Sequence, residues 1–366
     1  MKLLHTADWH LGKTLNGVNL IDDQKFIVDE IFKVVDDTKP DAILIAGDVY
    51  DRADPSTDAI DLFDEIIFKL TMKKIPVLCI AGNHDSAERL NFGSRLFANK
   101  KFFITAKAGE HKNIALDDEF GEVYFSLIPY FDPAEIKADE RLTFNDANKI
   151  YIESARAKIP AGKRSIAVAH VFIDGGEESD SERKFVGTAG KVNAENFSGY
   201  DYVALGHLHK AQKIFSNKIR YSGSPLKYSA KESNHVKGVT LVKLNAEGFV
   251  DAENIPLKPR RDLIEVSGTL ADFLSEPTND AYAYVTLTDK IFVYDAAQKL
   301  RVVFPHLMEA KNQSRPKDFV EEPARQFKEK ATLAEQFSDF FWEMTHRNLT
   351  ADERAAMAEI FREVGA

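Results

Sequence analysis

The sequence lacks the features that define several large classes of protein. It has one cysteine, Cys79, in 366 residues, which excludes an internal disulfide framework and is typical of a reducing compartment. No apolar run approaches the roughly 18 residues that a membrane span requires. The opening residues, MKLLHTADWH, interrupt their apolar run too early for a signal peptide. These absences predict a cytoplasmic protein without a membrane segment.

An excess of positive charge is also missing. The chain has 48 Lys and Arg and 58 Asp and Glu, which gives a net charge of −10. This charge argues against a protein that coats nucleic acid or membranes through an overall positive charge. Glycine (19) and proline (13) are too few for a fibrous chain, whereas 44% hydrophobic residues is ordinary globular composition. At roughly 150 residues per domain, the length predicts two or three units.

Five short apolar runs of β type are present, and each leads into a polar cluster. They are residues 2–4 before TADWH, 41–46 before GDVYD, 75–81 before GNHD, 165–169 before His170, and 202–205 before GHLH. Helical periodicity at residues 22–38 and 57–72 separates the first three runs, which predicts an α/β core. Such cores bind ligands outside the carboxyl ends of their strands, where all five clusters fall.

The side chains of these clusters are carboxylates, imidazoles and one amide, which suit an ion such as Mn²⁺ or Fe²⁺ better than thiolate-bound zinc. A single strand-end histidine is more often structural, and Asp48 or Asp85 alone would serve as a helix cap. Five coincident clusters instead favour a metal site. Seven plausible ligands among these side chains are more than one ion needs, so we predict two ions that share a carboxylate. The candidates are Asp8, His10, Asp48, Asp51, Asn83, His84, Asp85, His170, His207 and His209.

The succession D-x-H, G-D-x-x-D, G-N-H-D, H and G-H-x-H resembles the calcineurin-like metallophosphoesterases. The surrounding segments HTADWHLGK, AGDVYDRADPS, AGNHDSAERL, GGEESDSER, ALGHLHKAQ and YSGSPLKYS resemble the bacterial SbcD-type nucleases, the partners of SbcC-type ATPases. The resemblance is specific over residues 1–259 and mainly architectural beyond them. It implies an α/β fold: a metallophosphoesterase β-sandwich core flanked by helices, a small α/β capping domain and C-terminal helices.

The resemblance also implies a role for each site residue. The ligands of one manganese would be Asp8, His10, Asp48 and His209. Those of the second would be Asp48, Asn83, His170 and His207, with Mg²⁺ and Fe²⁺ as alternative ions. His84 would face the scissile phosphate without binding metal. Asp51 stands where archaeal and eukaryotic relatives often carry histidine, and would either orient His84 or cap the next helix.

A local basic segment points to the substrate. Residues 203–238 contain seven Lys or Arg and a single acid, Glu232, and they begin at a metal-ligand motif. Such a segment is suited to a polyanionic backbone, although the solvated face of a hairpin is the alternative. The candidates for DNA contact are Lys13, Arg89, Lys210, Tyr221 and Lys227.

Three functions are compatible with the pattern. The preferred one is a Mn²⁺-dependent DNA nuclease, both double-strand exonuclease and single-strand or hairpin endonuclease, that acts with an SbcC-like ATPase in DNA end processing, repair and recombination. A small-molecule or cyclic-nucleotide phosphodiesterase or phosphatase is disfavoured by the basic segment and by Ala53, where phosphatases of the G-D-x-x-D-R-G type have glycine. A DNA end-binding scaffold with a vestigial site is disfavoured by the intact ligand set.

The chain divides into a nuclease domain (1–259), a capping domain (260–310), a proline-marked linker (311–323) and a helical region (324–366). We expect an antiparallel pair within 214–242, and a β-α-β-α order in the capping domain ending at residue 303. The resemblance assigns a homodimer bundle to helices 57–72 and 87–98, with packing on the chain's own sheet as the alternative. It assigns the ATPase contact to 324–366, with docking on the nuclease as the alternative. Thr350 and Glu353 predict a capping box there.

Overall fold

The structure is a computed structural model that describes residues 1–109, 113–136, 141–179, 190–314, 334, 337–338, 340–342 and 347–363. They belong to two compact units, Met1–Ser314 and Arg315–Ala366. Within these ranges, no helix has both the length and the apolar character needed to cross a membrane.

The strands lie in the first unit. In chain order they are β1 (Lys2–Thr6), β2 (Thr14–Leu15), β3 (Val18–Asn19), β4 (Ala42–Ala46), β5 (Val77–Ile80), β6 (Phe102–Thr105), β7 (Ile114–Asp118), β8 (Gly121–Ile128), β9 (Arg164–His170), β10 (Phe172–Ile173), β11 (Lys191–Val192), β12 (Tyr202–Gly206), β13 (Gln212–Ile214), β14 (Ser216–Tyr221), β15 (Gly238–Asn245), β16 (Gly248–Pro256), β17 (Leu263–Gly268), β18 (Tyr282–Leu287) and β19 (Leu307–Asn312).

Helices connect or cover these strands. They are α1 (Ile21–Thr38), α2 (Thr57–Lys73), α3 (Ala87–Leu90), α4 (Ser94–Ala98), α5 (Phe144–Ala157), α6 (Leu270–Ser275), α7 (Ala296–Leu300) and, in the second unit, α8 (Ala351–Glu363). Short 3₁₀ turns are formed by Pro133–Glu135, Ala194–Phe197 and Ala230–Glu232.

Two six-stranded sheets form the core of the first unit. The first has the order β16-β15-β1-β4-β5-β6, in which β1, β4, β5 and β6 are parallel. The second has the order β13-β14-β12-β9-β8-β7, in which β8, β9, β12 and β14 are parallel. Side chains from both sheets, such as Leu44 and Val168, share one core cluster. The predicted β-sandwich is therefore confirmed.

The unbroken apolar runs arise because the sheets are covered on both faces. In β4, Leu44 points into the sandwich, whereas Ile43 and Ile45 join a second core cluster with α1 and α2. Helix α5 covers the second sheet in the same way. The strand side chains that face away from the sandwich thus pack against the flanking helices and position them.

The sandwich is also joined by a buried polar contact. His5 Nε2 lies 3.1 Å from the Leu205 carbonyl oxygen, which can only accept, so Nε2 carries the proton. His5 Nδ1 then accepts from the Tyr202 hydroxyl at 3.0 Å. This histidine is fully buried, and it links β1 to β12 with both ring nitrogens in use.

The small domain after residue 260 is a parallel sheet, β17-β18-β19, with α6, α7 and its own apolar core. The Tyr282 hydroxyl donates to Asp23 Oδ2 at 2.7 Å and so ties this domain to α1. The sequence missed β19 because LMEAKN mixes polar with apolar residues. Lys311 and Asn312 belong to this strand and not to the predicted linker, whose residues 315–323 lie outside the described ranges.

Two further expectations need correction. The predicted helix 87–98 is two short helices, α3 and α4, because Gly93 has a left-handed φ of 74° between them. Residues 214–242 do not form one antiparallel pair. Instead β14 pairs with β13 around Phe215, and β15 lies in the other sheet beside β1 and β16.

In the second unit, α8 begins with the predicted capping box. The Glu353 amide donates to Thr350 Oγ1 at 3.3 Å, and the Thr350 amide donates to Glu353 Oε2 at 2.8 Å. The Phe337 ring packs on Phe361 with centroids 6.1 Å apart. The rest of the predicted helical region, including residues 324–333, 343–346 and 364–366, lies outside the described ranges.

Candidate metal centre

The five polar clusters meet at one edge of the sandwich. Three follow β1, β4 and β5 of the first sheet, and two end β9 and β12 of the second. His170 joins the two sheets there, because its Nδ1 donates to the Ala46 carbonyl oxygen at 2.8 Å. Its Nε2 is thereby left to face the other clusters. The predicted convergence of strand ends is present in the folded chain.

The backbone at this edge is held in uncommon conformations. Asp8 (φ 55°), His10 (φ 45°) and Asp48 (φ 48°) are left-handed, and His207 (φ 106°) lies beyond the usual left-handed region. Non-glycine residues enter this region at a cost that persists where the surrounding structure imposes it, often at functional sites. The fold therefore keeps these four side chains at the cluster in spite of local strain.

Glycines precede three of the clusters because no side chain would fit there. A Cβ on Gly82 would overlap the Asp48 carboxylate, and one on Gly206 would overlap the Ala46 carbonyl oxygen. Neither position needs a left-handed backbone, so the requirement is steric. Close approach of the loops is what allows residues from different strands to touch.

Each of the seven predicted ligands lies close to at least one other. His10 Nε2 and His209 Nε2 are 3.0 Å apart, and His170 Nε2 is 3.3 Å from Asp48 Oδ2. Asn83 Oδ1 lies 3.1 Å from His170 Nε2 and 2.9 Å from His207 Nδ1. Groups of atoms within 4.8 Å of each other are Asp8–His10–His209, Asp8–Asp48–His170 and His10–Asp48–His84.

These separations fit cation ligands. At metal–ligand distances of about 2.1 Å, two ligands at a right angle lie about 3.0 Å apart. Asp8 Oδ2 is buried and accepts no hydrogen bond from the described residues, so this oxygen is available as a metal ligand. The cluster has the ligand types and spacing of a divalent metal site, and its buried carboxylate oxygen has no hydrogen-bond donor among the described residues.

Burial and mutual attraction shift the pKa values within the cluster. Burial raises the pKa of Asp8 to about 7 although His170 favours its carboxylate form. Burial opposes the charge of His170, but Asp48 outweighs it and raises the pKa of His170 to about 9. Burial and the adjacent His170 lower the pKa of His207 to about 3. Without a cation, one Asp48–His170 ion pair holds this end of the cluster together.

His84 and Asp51 lie beside the cluster and contact each other. The His84 amide donates to Asp48 Oδ1 at 2.9 Å, and His84 Nδ1 donates to the backbone oxygen of Asp51 at 2.8 Å. The Asp51 carboxylate instead lies 3.4 Å from His10 Nδ1 and 2.8 Å from Lys13 Nζ. The next helix, α2, is capped by Ser56. Asp51 thus orients His84 through its carbonyl, and its side chain supports His10.

Three residues, of which Gln24 and Glu232 are buried, support the cluster from behind. Gln24 Nε2 donates to the His10 carbonyl at 2.7 Å, and Asp85 accepts from the amides of Gly82, Val49 and Tyr50 at 2.9, 3.1 and 2.8 Å. Glu232 Oε1 lies 3.4 Å from His209 Nδ1. The sequence analysis missed Gln24 and Glu232. Gln24 could have been noticed as a polar residue on the apolar face of α1, and Glu232 as the single acidic residue in a basic segment.

Two of the predicted DNA contacts have their polar atoms directed into the fold. Tyr221 is fully buried, and its hydroxyl donates to the Val171 carbonyl and accepts from the Ile173 amide, each at 2.8 Å. Lys227 points toward the small domain, where its Nζ lies 2.8 Å from Asp262 Oδ1 and donates to the Leu263 carbonyl at 3.2 Å. Both side chains serve the fold because their polar atoms are used inside it.

The other predicted DNA contacts are at least partly accessible. Lys210 pairs with Glu177, Arg89 pairs with Asp54 at 2.7 Å, and Lys13 pairs with Asp51 beside the cluster. The Lys210 and Arg89 pairs lie on the surface, where ion pairs are weak and exchange readily for phosphate. Their role in DNA binding stays a prediction.

Comparison with known proteins agrees with the geometry. The family model for calcineurin-like phosphoesterases matches residues 1–211. The SbcD_C model, described as the type 5 capsule protein repressor C-terminal domain, matches residues 259–345. The chain is 37% identical over 322 residues to the SbcD component of the nuclease SbcCD from Staphylococcus epidermidis, and the alignment covers 85% of each protein.

Proposed function

Because this chain belongs to the SbcD-type nucleases of the calcineurin-like phosphoesterase family and is a metal-dependent phosphodiesterase, we propose that it cleaves DNA with two manganese ions. The observation that supports this most is the contact between donor atoms from five strand ends in one buried cluster. When bound, two such ions would activate a water and neutralise charge on the phosphoryl oxygens.

The proposed ligand sets are those that the family resemblance implies, and the contacts within the cluster are compatible with them. Asp8, His10 and His209 would hold one ion, and Asn83, His170 and His207 the other. Asp48 would be shared, because its Oδ2 lies 3.7 Å from His10 Nε2 and 3.3 Å from His170 Nε2. Manganese is proposed because mixed carboxylate, amide and imidazole donors suit a borderline ion.

His84 is the proposed contact to the scissile phosphate. It is partly exposed, whereas the four histidines assigned as ligands are buried. Its Nδ1 proton is committed to the Asp51 carbonyl, so Nε2 is the atom that can meet a phosphate oxygen or protonate a leaving group. Its distance from Asp48 would also permit metal binding, and the variants below distinguish the two roles.

The proposed substrate is duplex and hairpin DNA, cut in exonuclease and endonuclease modes. Lys213 and Lys218 are exposed on the hairpin that follows the GHLH motif, and Lys210 lies at its base. We propose that these lysines carry the backbone contact first assigned to the whole basic segment.

Two assemblies complete the proposal. A homodimer is supported by an apolar surface on α2, on α4 and on the turn before α4, where Phe68, Met72, Leu96 and Phe92 are 63%, 66%, 71% and 85% exposed. A complex with an SbcC-like ATPase through residues 324–366 is supported by the name of the S. epidermidis relative and by half-exposed Phe340 and Ile360.

The test uses metal-stripped protein incubated with Mn²⁺ or Mg²⁺ and three substrates: a linear duplex, a DNA hairpin and bis(p-nitrophenyl) phosphate. We expect Mn²⁺-dependent cleavage of all three, and stimulation of DNA cleavage by the ATPase partner and ATP. Hydrolysis of the chromogenic ester without DNA cleavage would favour the small-molecule phosphodiesterase. DNA binding without any hydrolysis would favour the scaffold. Asp48→Asn is the control for a contaminating nuclease.

A further inference from the structure

The two histidines that face each other across the first metal position have the same kind of support. His10 Nε2 and His209 Nε2 are 3.0 Å apart, so these nitrogens point into the cluster. Behind them, Asp51 Oδ1 lies 3.4 Å from His10 Nδ1, and Glu232 Oε1 lies 3.4 Å from His209 Nδ1. Each histidine thus has one nitrogen directed at the metal position and the other directed at a carboxylate.

Each of these carboxylates is held by a lysine. Lys13 Nζ pairs with Asp51 at 2.8 Å, and Lys237 Nζ pairs with Glu232. The Glu232–Lys237 pair is the more deeply buried, since Glu232 is 0% and Lys237 is 7% exposed. Lys237 Nζ also donates to the His209 carbonyl and to Ser224 Oγ, both at 2.8 Å. One ammonium therefore holds both the backbone of His209 and the carboxylate behind its ring.

We propose that Glu232, anchored by Lys237, is a positioning residue that fixes the tautomer and ring orientation of His209 for metal binding. A carboxylate can only accept, so Glu232 selects the tautomer with a proton on Nδ1. The lone pair of Nε2 is then presented to the cation, as in other carboxylate–histidine–metal arrangements. The proposal rests on the two-metal site proposed above.

A purely structural ion pair is the competing explanation, and a double variant separates the two. Glu232→Gln should leave the buried Lys237 ammonium without its counter-charge, so the unfolding temperature should fall. Glu232→Gln with Lys237→Met removes both charges, so much of that temperature should return. If Glu232 positions His209, the double variant still lacks the carboxylate behind the imidazole, because a glutamine amide can present either its oxygen or its N–H₂ group to Nδ1 and so no longer selects one tautomer. Its Mn²⁺ affinity at one site should stay about 10- to 100-fold weaker.

The measurement is calorimetric titration of metal-stripped full-length protein with Mn²⁺, together with its thermal unfolding. One site should weaken in both the single and the double variant, while the second site keeps its affinity. The matched control is Glu253→Gln, which breaks a pair of the same type on β15 and β16, Lys243–Glu253 at 3.0 Å, where both partners are exposed. We expect no change in Mn²⁺ binding from this control.

A second readout does not depend on metal. In ¹⁵N-histidine-labelled, metal-free protein, the ring shifts of His209 should report the Nδ1-protonated tautomer in the wild type and a mixture in the double variant. Recovery of both stability and Mn²⁺ affinity in the double variant, with an unchanged tautomer, would overturn the proposal. Failure of the wild type itself to bind Mn²⁺ would overturn the proposed function instead, and the tautomer would still report the role of Glu232.

Discussion

The strand-end cluster and the basic segment 203–238 both bury charged groups, and they treat them in opposite ways. At the cluster, Asp8 Oδ2 is buried without a hydrogen bond, and four backbone positions are strained. In the basic segment, Lys227 uses its Nζ inside the fold, where it donates to the Ser233 carbonyl and pairs with Asp262. Satisfied buried charge indicates scaffold, and unsatisfied buried charge at one edge indicates a place for a ligand.

The largest expected effect comes from the residue that both proposed ions share. Asp48→Ala removes the carboxylate between His10 and His170, so we expect the loss of both ions and of roughly 10⁴-fold or more in hydrolysis. Metal analysis of the purified variant, alongside its circular dichroism spectrum, checks this. Two ions in a folded Asp48→Ala protein would contradict the assignment.

His84 provides the next test, because it lies in the cluster without belonging to either proposed ligand set. His84→Gln should keep both ions while hydrolysis drops by about 10²-fold or more. The same metal analysis, combined with steady-state kinetics on bis(p-nitrophenyl) phosphate, measures the two quantities separately. If metal and activity are lost together, His84 is a ligand.

The stability of the metal-free cluster should also depend on pH. Asp48 raises the pKa of His170 from its ordinary value of 6.5 to about 9. The resulting stabilisation is fully present below pH 6.5 and is lost as the pH rises through about 9, with an upper limit of about 3 kcal/mol. Thermal unfolding of metal-stripped protein from pH 6 to 10 measures it. A His170→Gln protein with the same pH profile would show that another group is responsible.

A smaller effect is expected at Lys227. Lys227→Met removes the contact to Asp262 and Leu263, so the free energy of unfolding should fall by about 1–2 kcal/mol. The salt dependence of DNA binding should not change, because the side chain is turned toward the small domain. Urea unfolding and binding titrations at several salt concentrations measure both. A flatter salt slope with unchanged stability would return Lys227 to the DNA interface.

The smallest effect is expected from the exposed lysines of the same segment. Removing Lys213 and Lys218 together should flatten the slope of log affinity against log salt by up to about 2 and leave stability nearly unchanged. Lys258→Ala, a surface change outside the segment, is the control. An equal slope in the double variant and the wild type would place the DNA path elsewhere.

Much of the site was predictable from sequence because strand ends leave a local signature. An apolar run followed by Asp48 or His207 indicates both a strand and the residue at which that strand ends. Because parallel strands end at the same edge of a sheet, the polar residues that follow separate runs come together there. The α1 and α2 boundaries were close to prediction for the same reason, since apolar spacing and caps are local features.

The remainder depends on tertiary packing that no local pattern records. Glu232 lies on a 3₁₀ turn 23 residues after His209, and only the folded chain brings the two together. Tyr221 faces the core of the second sheet as the last residue of β14. Lys227 lies on the segment between β14 and β15, which crosses from one sheet to the other. The Asp51 carbonyl contacts His84, whereas its carboxylate contacts His10, a division that the residue type alone does not specify.

In the proposed site, five strand ends build two cation positions around Asp48. An anomalous difference map from crystals grown with Mn²⁺ would locate these positions. We expect two peaks about 3.5–4 Å apart. One should lie against Asp8, His10 and His209, and the other against Asn83, His170 and His207. A single peak, or a second peak away from Asp48, would contradict this expectation.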